Sequence, residues 1–314
     1  MTLSIVTTLY KSAAYVEEFY RRASAAAVAV SDDYEIVMVD DGSPDNSLDL
    51  AIGLYERDPR VCILSLSRNF GHHRAMMTGL GHARGSLVFL IDVDLDVGPE
   101  CLVEFYADLN QSHADVIYGV QDAREDSVIN RLGGWMFYAV FNRLSLHRLP
   151  VNLTTARLMT RRYVQALLRH QEREMIIAGL WVITGYRQMP RTVRKLSKQE
   201  SSYDLRRKAA LLIDAVIAFS NRPLIFIFYL GLSISLLSTA GAAYLVARRL
   251  LYGTVASGWL SLIVSTWLLG GLIIFCLGVI GFYLSKVFVE TKQRPYTIVR
   301  DVYDRTGEAP DRAV

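Results

Sequence analysis

Two short acidic runs hold the densest chemistry in this chain. Asp92-Val93-Asp94-Leu95-Asp96 follows the apolar run Leu87–Ile91, and Asp40-Asp41-Gly42-Ser43, with Asp45 close behind, follows Glu35–Val39. Alternating carboxylates at the end of a strand can share a hard divalent cation, Mg2+ or Mn2+, which bridges a diphosphate and stabilises it as a leaving group. Adjacent carboxylates before a turn glycine suit hydrogen bonds to a base or a ribose, although a bare turn also draws on Asp and Gly. An EF-hand begins with alternating Asp too, but counted from Asp92 its glycine position is Val97 and its closing glutamate position is Val103. A dinucleotide loop is excluded as well: Gly79, Gly81 and Gly85 have the wrong spacing and sit at a helix end, not after the first strand.

The elements around these runs alternate in type. Leu3–Thr8, Glu35–Val39, Val61–Ser65, Leu87–Ile91 and Val116–Val120 read as strands, with helices expected over Ala14–Val30, Asn46–Arg57, His73–Ala83 and Pro99–Gln111. Such alternation predicts an α/β domain with a mostly parallel, Rossmann-like sheet covered on both faces, and ligands at the carboxyl ends of its strands. Both acidic runs fall at those ends. Beyond Val120 the pattern loosens. Ile129–Leu146 reads as an aromatic-rich helix, either buried or lying on a membrane surface, and a basic stretch runs from Arg191 to Lys208.

Composition divides the chain. It is 52% hydrophobic yet 21% charged, and no charge falls between Arg222 and Arg248 or between Arg249 and Lys286. Each gap exceeds the ~20 residues a helix needs to cross a hydrocarbon core. Spans are expected over Leu224–Val246 and Trp259–Tyr283, with glycines suited to close packing in lipid. Basic residues cluster before the first span and after the second, so the positive-inside rule puts both termini in the cytoplasm. The N-terminus lacks a basic start and a long apolar run, which argues against a signal peptide. The expected organisation is a domain over 1–200, a juxtamembrane amphipathic and basic segment over 201–222, two transmembrane helices within 223–285 and a cytoplasmic tail over 286–314. Three cysteines without a CxxC pair suggest neither zinc nor disulfides, and a net charge of +3 gives no sign of a nucleic-acid partner.

Val39-Asp40-Asp41-Gly42-Ser43, Ser67-Arg68-Asn69-Phe70-Gly71, His82-Ala83-Arg84-Gly85 and Asp92-Val93-Asp94, in this order and spacing, resemble family 2 glycosyltransferases. More narrowly the chain resembles the polyprenyl-phosphate glycosyltransferases of the dolichyl-phosphate-mannose-synthase-like group, a likeness that continues to Gly281-Phe282-Tyr283-Leu284 and Arg294-Pro295. The resemblance implies a GT-A fold, an NDP-sugar donor (a UDP-sugar in preference), Mg2+ or Mn2+, and a polyprenyl phosphate acceptor in a bacterial inner membrane. By position it assigns Thr8, Tyr10, Asp40, Asp41, Arg68 and Asp92 to the nucleotide, and Asp92 and Asp94 to the metal, with Asp96 a further metal ligand or a sugar contact. It also implies a homo-oligomer, a tetramer in similar proteins.

Two departures stand out. Where relatives carry Gly-Asp-Phe-Arg-Leu this chain has Thr154-Thr155-Ala156-Arg157-Leu158, so Thr155 replaces a proposed base, and Ser12 stands where relatives have glutamate. A phosphate monoester has its second pKa near ~6, so a lipid phosphate is already largely ionised and needs alignment and charge stabilisation more than a base. Asp94, with Arg157, Arg131 and Arg194, is expected to carry that work. The missing Asp also keeps open a non-catalytic reading, a membrane scaffold or flippase-associated protein with a degenerate transferase domain. A processive synthase is disfavoured, because the chain has no Gln-x-x-Arg-Trp motif and only two spans.

Overall fold

The structure is a computed structural model that describes residues 2–121, 152–172, 177–194, 222–252 and 258–305. Its centre is the strand Leu3–Leu9 (β1), buried along its whole length as a strand covered on both faces must be. Tyr34–Asp40 (β2), Val61–Leu66 (β3) and Leu87–Leu90 (β4) run parallel to it, in the order β4-β1-β2-β3. Since β2 and β3 extend to one side of β1 and β4 lies on the other, the chain direction reverses between β1 and β4. The crevice at the carboxyl ends beside that reversal is where open parallel sheets take ligands.

Helices make the crossovers: Val16–Val28 (α1), Ser47–Arg57 (α2) and His72–His82 (α3). Val16, Phe19, Ala23, Ala26 and Ala27 form the buried stripe of α1, and Glu17 and Glu18 lie in its first turn, where the helix dipole favours them. Cys101–Ser112 (α4) follows β4, and its Phe105 meets Phe89 edge-on with ring centroids 6.1 Å apart. Beyond β4 the sheet continues through Leu153–Thr160 (β6), Val116–Gln121 (β5) and Gln188–Val193 (β7), with β6 antiparallel to both neighbours. Arg161–Leu167 (α5) and Ile177–Ile183 (α6) complete the cover. One apolar core lies under α1, α2 and α4, the other under α3, α5 and α6.

A second unit holds the helices Arg222–Tyr252 (α7) and Trp259–Thr291 (α8). Both are long and apolar enough to cross a membrane, with windows Leu224–Gly241 and Ser265–Thr291 of mean hydropathy 1.9 and 2.3. Phe226, Leu237, Trp267 and Ile274 on them are exposed, so these are not the buried helices of a protein core. The last helix continues past Tyr283 to Thr291.

Within the segment expected as a cytoplasmic tail, Val299–Tyr303 (β8) pairs antiparallel with β3 and closes that edge of the sheet, as part of the N-terminal unit. Five mostly exposed residues carry almost no apolar periodicity, so the strand exists by virtue of the edge it meets. The basic stretch is also revised, for Arg191 lies in β7 and bonds Asp108 and Glu104 on α4. The helix expected at 129–146 and the segment 201–222, apart from the start of α7, lie outside the described residues.

At the amino ends of the strands a polar knot ties β8 in place. Arg84 Nη2 donates to Asp304 Oδ2 at 2.6 Å and its Nε lies 3.3 Å from Glu35 Oε2, while Ser4 Oγ donates to Glu35 Oε1. Cys62 and His82 are buried beside it; burial pushes the thiol up to about 12 and the imidazole below its ordinary value. Gly85 is packed into this knot, and a Cβ there would stand 2.6 Å from Ser4 N and 2.7 Å from Leu87 O, backbone on both sides. Gly85→Ala is therefore expected to cost about 1–3 kcal/mol by overpacking. A melting temperature in detergent no lower than that of the wild type would contradict the packing described.

Candidate active site

The site grows from the carboxyl ends of β1, β2, β3 and β4. Asp40 ends β2 and Asp41 follows it, each 2% exposed, and burial raises both carboxyls above their ordinary range. Contacts with Ser43 oppose the shift at Asp40, whose Oδ1 accepts from Ser43 N at 3.2 Å. Asp41 holds a different segment: Oδ1 accepts from Phe70 N at 2.7 Å and Oδ2 from Gly71 N at 2.9 Å. The loop Ser67–Gly71, after β3, is thereby fastened to the end of β2. Gly42 allows the close approach, with φ +64 and an added Cβ only 2.6 Å from the Arg68 carbonyl carbon. Arg68 lies over the Phe70 ring at 4.0 Å and is exposed toward solvent.

Gly71 begins α3, and the next residue joins the strands' ends. His72 Nδ1 is 2.9 Å from Thr8 Oγ1, and its Nε2 is 3.2 Å from Asp92 Oδ1. Thr8 and Asp92 are thus brought together on an imidazole that the sequence reading leaves in a loop, next to the Asp41-bound segment that carries Arg68. The signal was slight: a histidine directly after the glycine of Ser67–Gly71.

Asp92 Oδ1 is buried, though the side chain as a whole is 34% exposed; His72 Nε2 lies 3.2 Å from it, and no donor among the described residues meets it in full hydrogen-bond geometry. A carboxylate at a strand end, partly open to solvent, suits the hard cations Mg2+ and Mn2+, which take oxygen donors. Asp94 is exposed and its Oδ1 accepts from Asp96 N at 3.0 Å, while Leu95 between them takes a left-handed φ of 60. Asp92, Asp94 and Asp96 do not converge as a close-set trio. Such a group among the described residues is Cys62, His82 and Asp304 at the far end of the sheet, where Arg84 already holds Asp304.

Arg157 is the largest surprise. It sits on β6 opposite Leu90, two residues before Asp92, and is 1% exposed. Its guanidinium lies 3.0 Å from the Trp181 ring centre, and Nε and Nη2 have no hydrogen-bond partner among the described residues. Burial pushes it down to about 9, opposed by Tyr163 and Tyr118, which leaves it charged at neutral pH. It borders a cavity of about 220 Å³ walled also by Tyr118, Trp181, Tyr186 and Gln188. No carboxylate among the described residues pairs with it, and a buried cation beside a cavity suits an anion.

The remaining expected residues lie less centrally. Tyr10 is 45% exposed, with Lys11 over its ring, and Arg194 is exposed just beyond β7. Arg131 lies outside the described residues. Ser12 shapes the loop after β1: its Oγ accepts from Tyr10 N, and its own N donates to Ser47 Oγ. Thr155 is half-buried on β6.

A family model described as glycosyl transferase family 2 matches residues 4–168. A glycosyltransferase of Mycobacterium tuberculosis is 52% identical over 99% of this chain and 91% of its own length. One from Synechocystis is 34% identical over 96% of this chain and 95% of its own. A prophage bactoprenol glucosyl transferase homolog of Escherichia coli is 29% identical over 96% and 99%.

Removing the acceptor that fastens the loop should release it. In Asp41→Ala the Phe70 and Gly71 amides lose their partners, at about 1–3 kcal/mol. Hydrogen exchange at residues 67–71 should quicken while β1 and β2 stay protected; unchanged exchange in the loop would show that Asp41 does not hold it.

Proposed function

Because the chain belongs to glycosyl transferase family 2 and is a glycosyltransferase of the GT-A fold, we propose that it moves one sugar from a UDP-sugar to undecaprenyl phosphate. The phosphate oxygen attacks the anomeric carbon from the face opposite the leaving group. A C–O bond forms there with inversion as the bond to the nucleoside diphosphate breaks, and the diphosphate departs with the electron pair.

The site feature that carries the reading is the pairing of opposite charges across the β4–β6 pair: the Asp92 carboxylate, partly open to solvent beside His72, and the buried Arg157 guanidinium, whose Nε and Nη2 have no acceptor among the described residues. Asp92 and Asp94 would hold Mg2+ or Mn2+, with Asp96 beside them, and the ion would neutralise the diphosphate as it leaves. Asp40, Asp41, Thr8, Tyr10 and Arg68 bind and orient the nucleotide. Arg157, with Arg131 and Arg194, receives the acceptor phosphate and the charge that develops on it. Thr155 is no obstacle, since the acceptor arrives ionised. The lipid acceptor is supported by relatives named bactoprenol glucosyl transferase, aligned over nearly the whole of both chains, and by the two long apolar helices. Glucose, the sugar in those names, is the first to test. We place both termini in the cytoplasm and the site at the cytoplasmic face of a bacterial plasma membrane, in a homo-oligomer.

Purified Asp94→Ala, folded and inserted, is expected to form no radiolabelled lipid-linked sugar, and chelation should silence the wild type until Mg2+ or Mn2+ is restored. Normal product from the variant would sink the assignment. Donor binding without turnover in the wild type would instead support the non-catalytic reading. Arg157→Met should slow transfer about 100-fold without lowering the melting temperature, because it removes an uncompensated buried charge; a destabilised but active variant would mean that Arg157 serves packing.

A further inference from the structure

The strand that arrives from beyond the second long helix does more than close a sheet edge. Ser67 N donates to Ile298 O at 2.9 Å, one residue before Arg68, and Thr78 and Thr297 hydroxyls meet at 2.8 Å. The segment leading into β8 thus holds the loop Ser67–Gly71 from the side opposite Asp41. The ladder between β3 and β8 is regular from Tyr303 to Asp301, opposite Ile63 to Ser65, and then slips between Ser65 and Leu66. Arg300 is the residue at that slip. Irregularities of this kind turn a side chain out of the ladder direction. Here Arg300 Nη2 donates to Ser65 Oγ at 2.9 Å and Nε to Asp301 Oδ2 at 2.7 Å.

Ser65 is the residue paired with Asp40 across β2 and β3. The guanidinium, held charged chiefly by Asp301, also feels the Asp40 carboxylate. Its bonds to Ser65 and Asp301 leave further N–H donors on the planar group. A carboxylate that accepts on β2 and a guanidinium that donates from β8, both meeting Ser65 at the end of β3, match a ring N–H next to a carbonyl. Uracil presents that edge at N3–H and O4. Cytosine does not, having a ring acceptor and an amino donor in the same places.

Building on the donor reading given above, we propose that Arg300 is a specificity-determining residue of the nucleotide site, donating to a carbonyl of the base beside Asp40. The chain beyond the second long helix then supplies part of the donor pocket, outside residues 4–168 that match the family model.

The test uses the full-length protein in detergent, with UDP and CDP as probes. In Arg300→Ala the Kd for UDP should rise roughly tenfold, the equivalent of one charge-assisted hydrogen bond, with the UDP-over-CDP preference falling in step. The donor KM should rise while kcat at saturation stays within about twofold, and Arg300→Lys should recover part of the loss. Asp304→Asn loosens the other end of β8 from Arg84 and separates docking of the strand from the guanidinium itself: it should lower the melting temperature and leave the UDP-over-CDP ratio unchanged. Unchanged UDP binding and base preference in Arg300→Ala overturns the inference alone. An equal loss of preference in Asp304→Asn overturns it in favour of a structural role. A wild type that binds no nucleoside diphosphate overturns the donor reading, and this inference with it.

Discussion

The Asp41 carboxylate, shared between the backbone amides of Phe70 and Gly71, is the contact on which the site depends. It joins the ends of β2 and β3, fixes the start of α3, and so aims His72 at both Thr8 and Asp92. Burial opposes ionisation of this carboxylate, and the two N–H donors oppose burial. Gly42 makes the contact geometrically feasible, because no residue with a Cβ fits against the Arg68 backbone at that position. Four strand ends are thereby set in one frame, and the side chains with chemistry to offer follow from it.

Against this satisfied frame stand two groups that the fold leaves only partly satisfied. Arg157 is buried with no acceptor for Nε and Nη2 among the described residues, and Asp92, a third exposed, has the His72 imidazole 3.2 Å from Oδ1. An unpaired buried ion costs several kcal/mol, so stability does not explain Arg157, the buried one of the two groups. They are of opposite sign and flank one strand pair, which suits a reaction in which an anionic leaving group and an anionic acceptor must be held close without repelling each other. The long apolar helices fit the same chemistry, since the proposed acceptor is a lipid phosphate.

Much of this was legible in the residues alone. Fully buried strands read as apolar runs, so β1 to β4 and their order of connection emerge from alternation with helices, and the acidic runs fall at the ligand-binding ends by the same logic. The charge-free stretches mark the long helices equally well. What escaped depends on partners distant in sequence. Val299–Tyr303 is too short and too exposed to show periodicity, and it becomes a strand only because β3 offers an open edge. Arg157 was picked out for its charge, but a charge normally signals exposure, so its burial against Trp181 had no trace in the sequence. His72 lay one residue outside the expected helix, and its role depends on Gly71 turning the chain.

The most direct measurement is a transfer assay with the wild-type protein in lipid nanodiscs, supplying radiolabelled UDP-glucose and other UDP-sugars, and either undecaprenyl phosphate or undecaprenol. The account predicts one labelled lipid product, formed only with the phosphorylated acceptor and a divalent cation, carrying a single sugar in the configuration opposite to the donor's. Product formed equally on the alcohol, or none on the phosphate with any donor that binds, would contradict it.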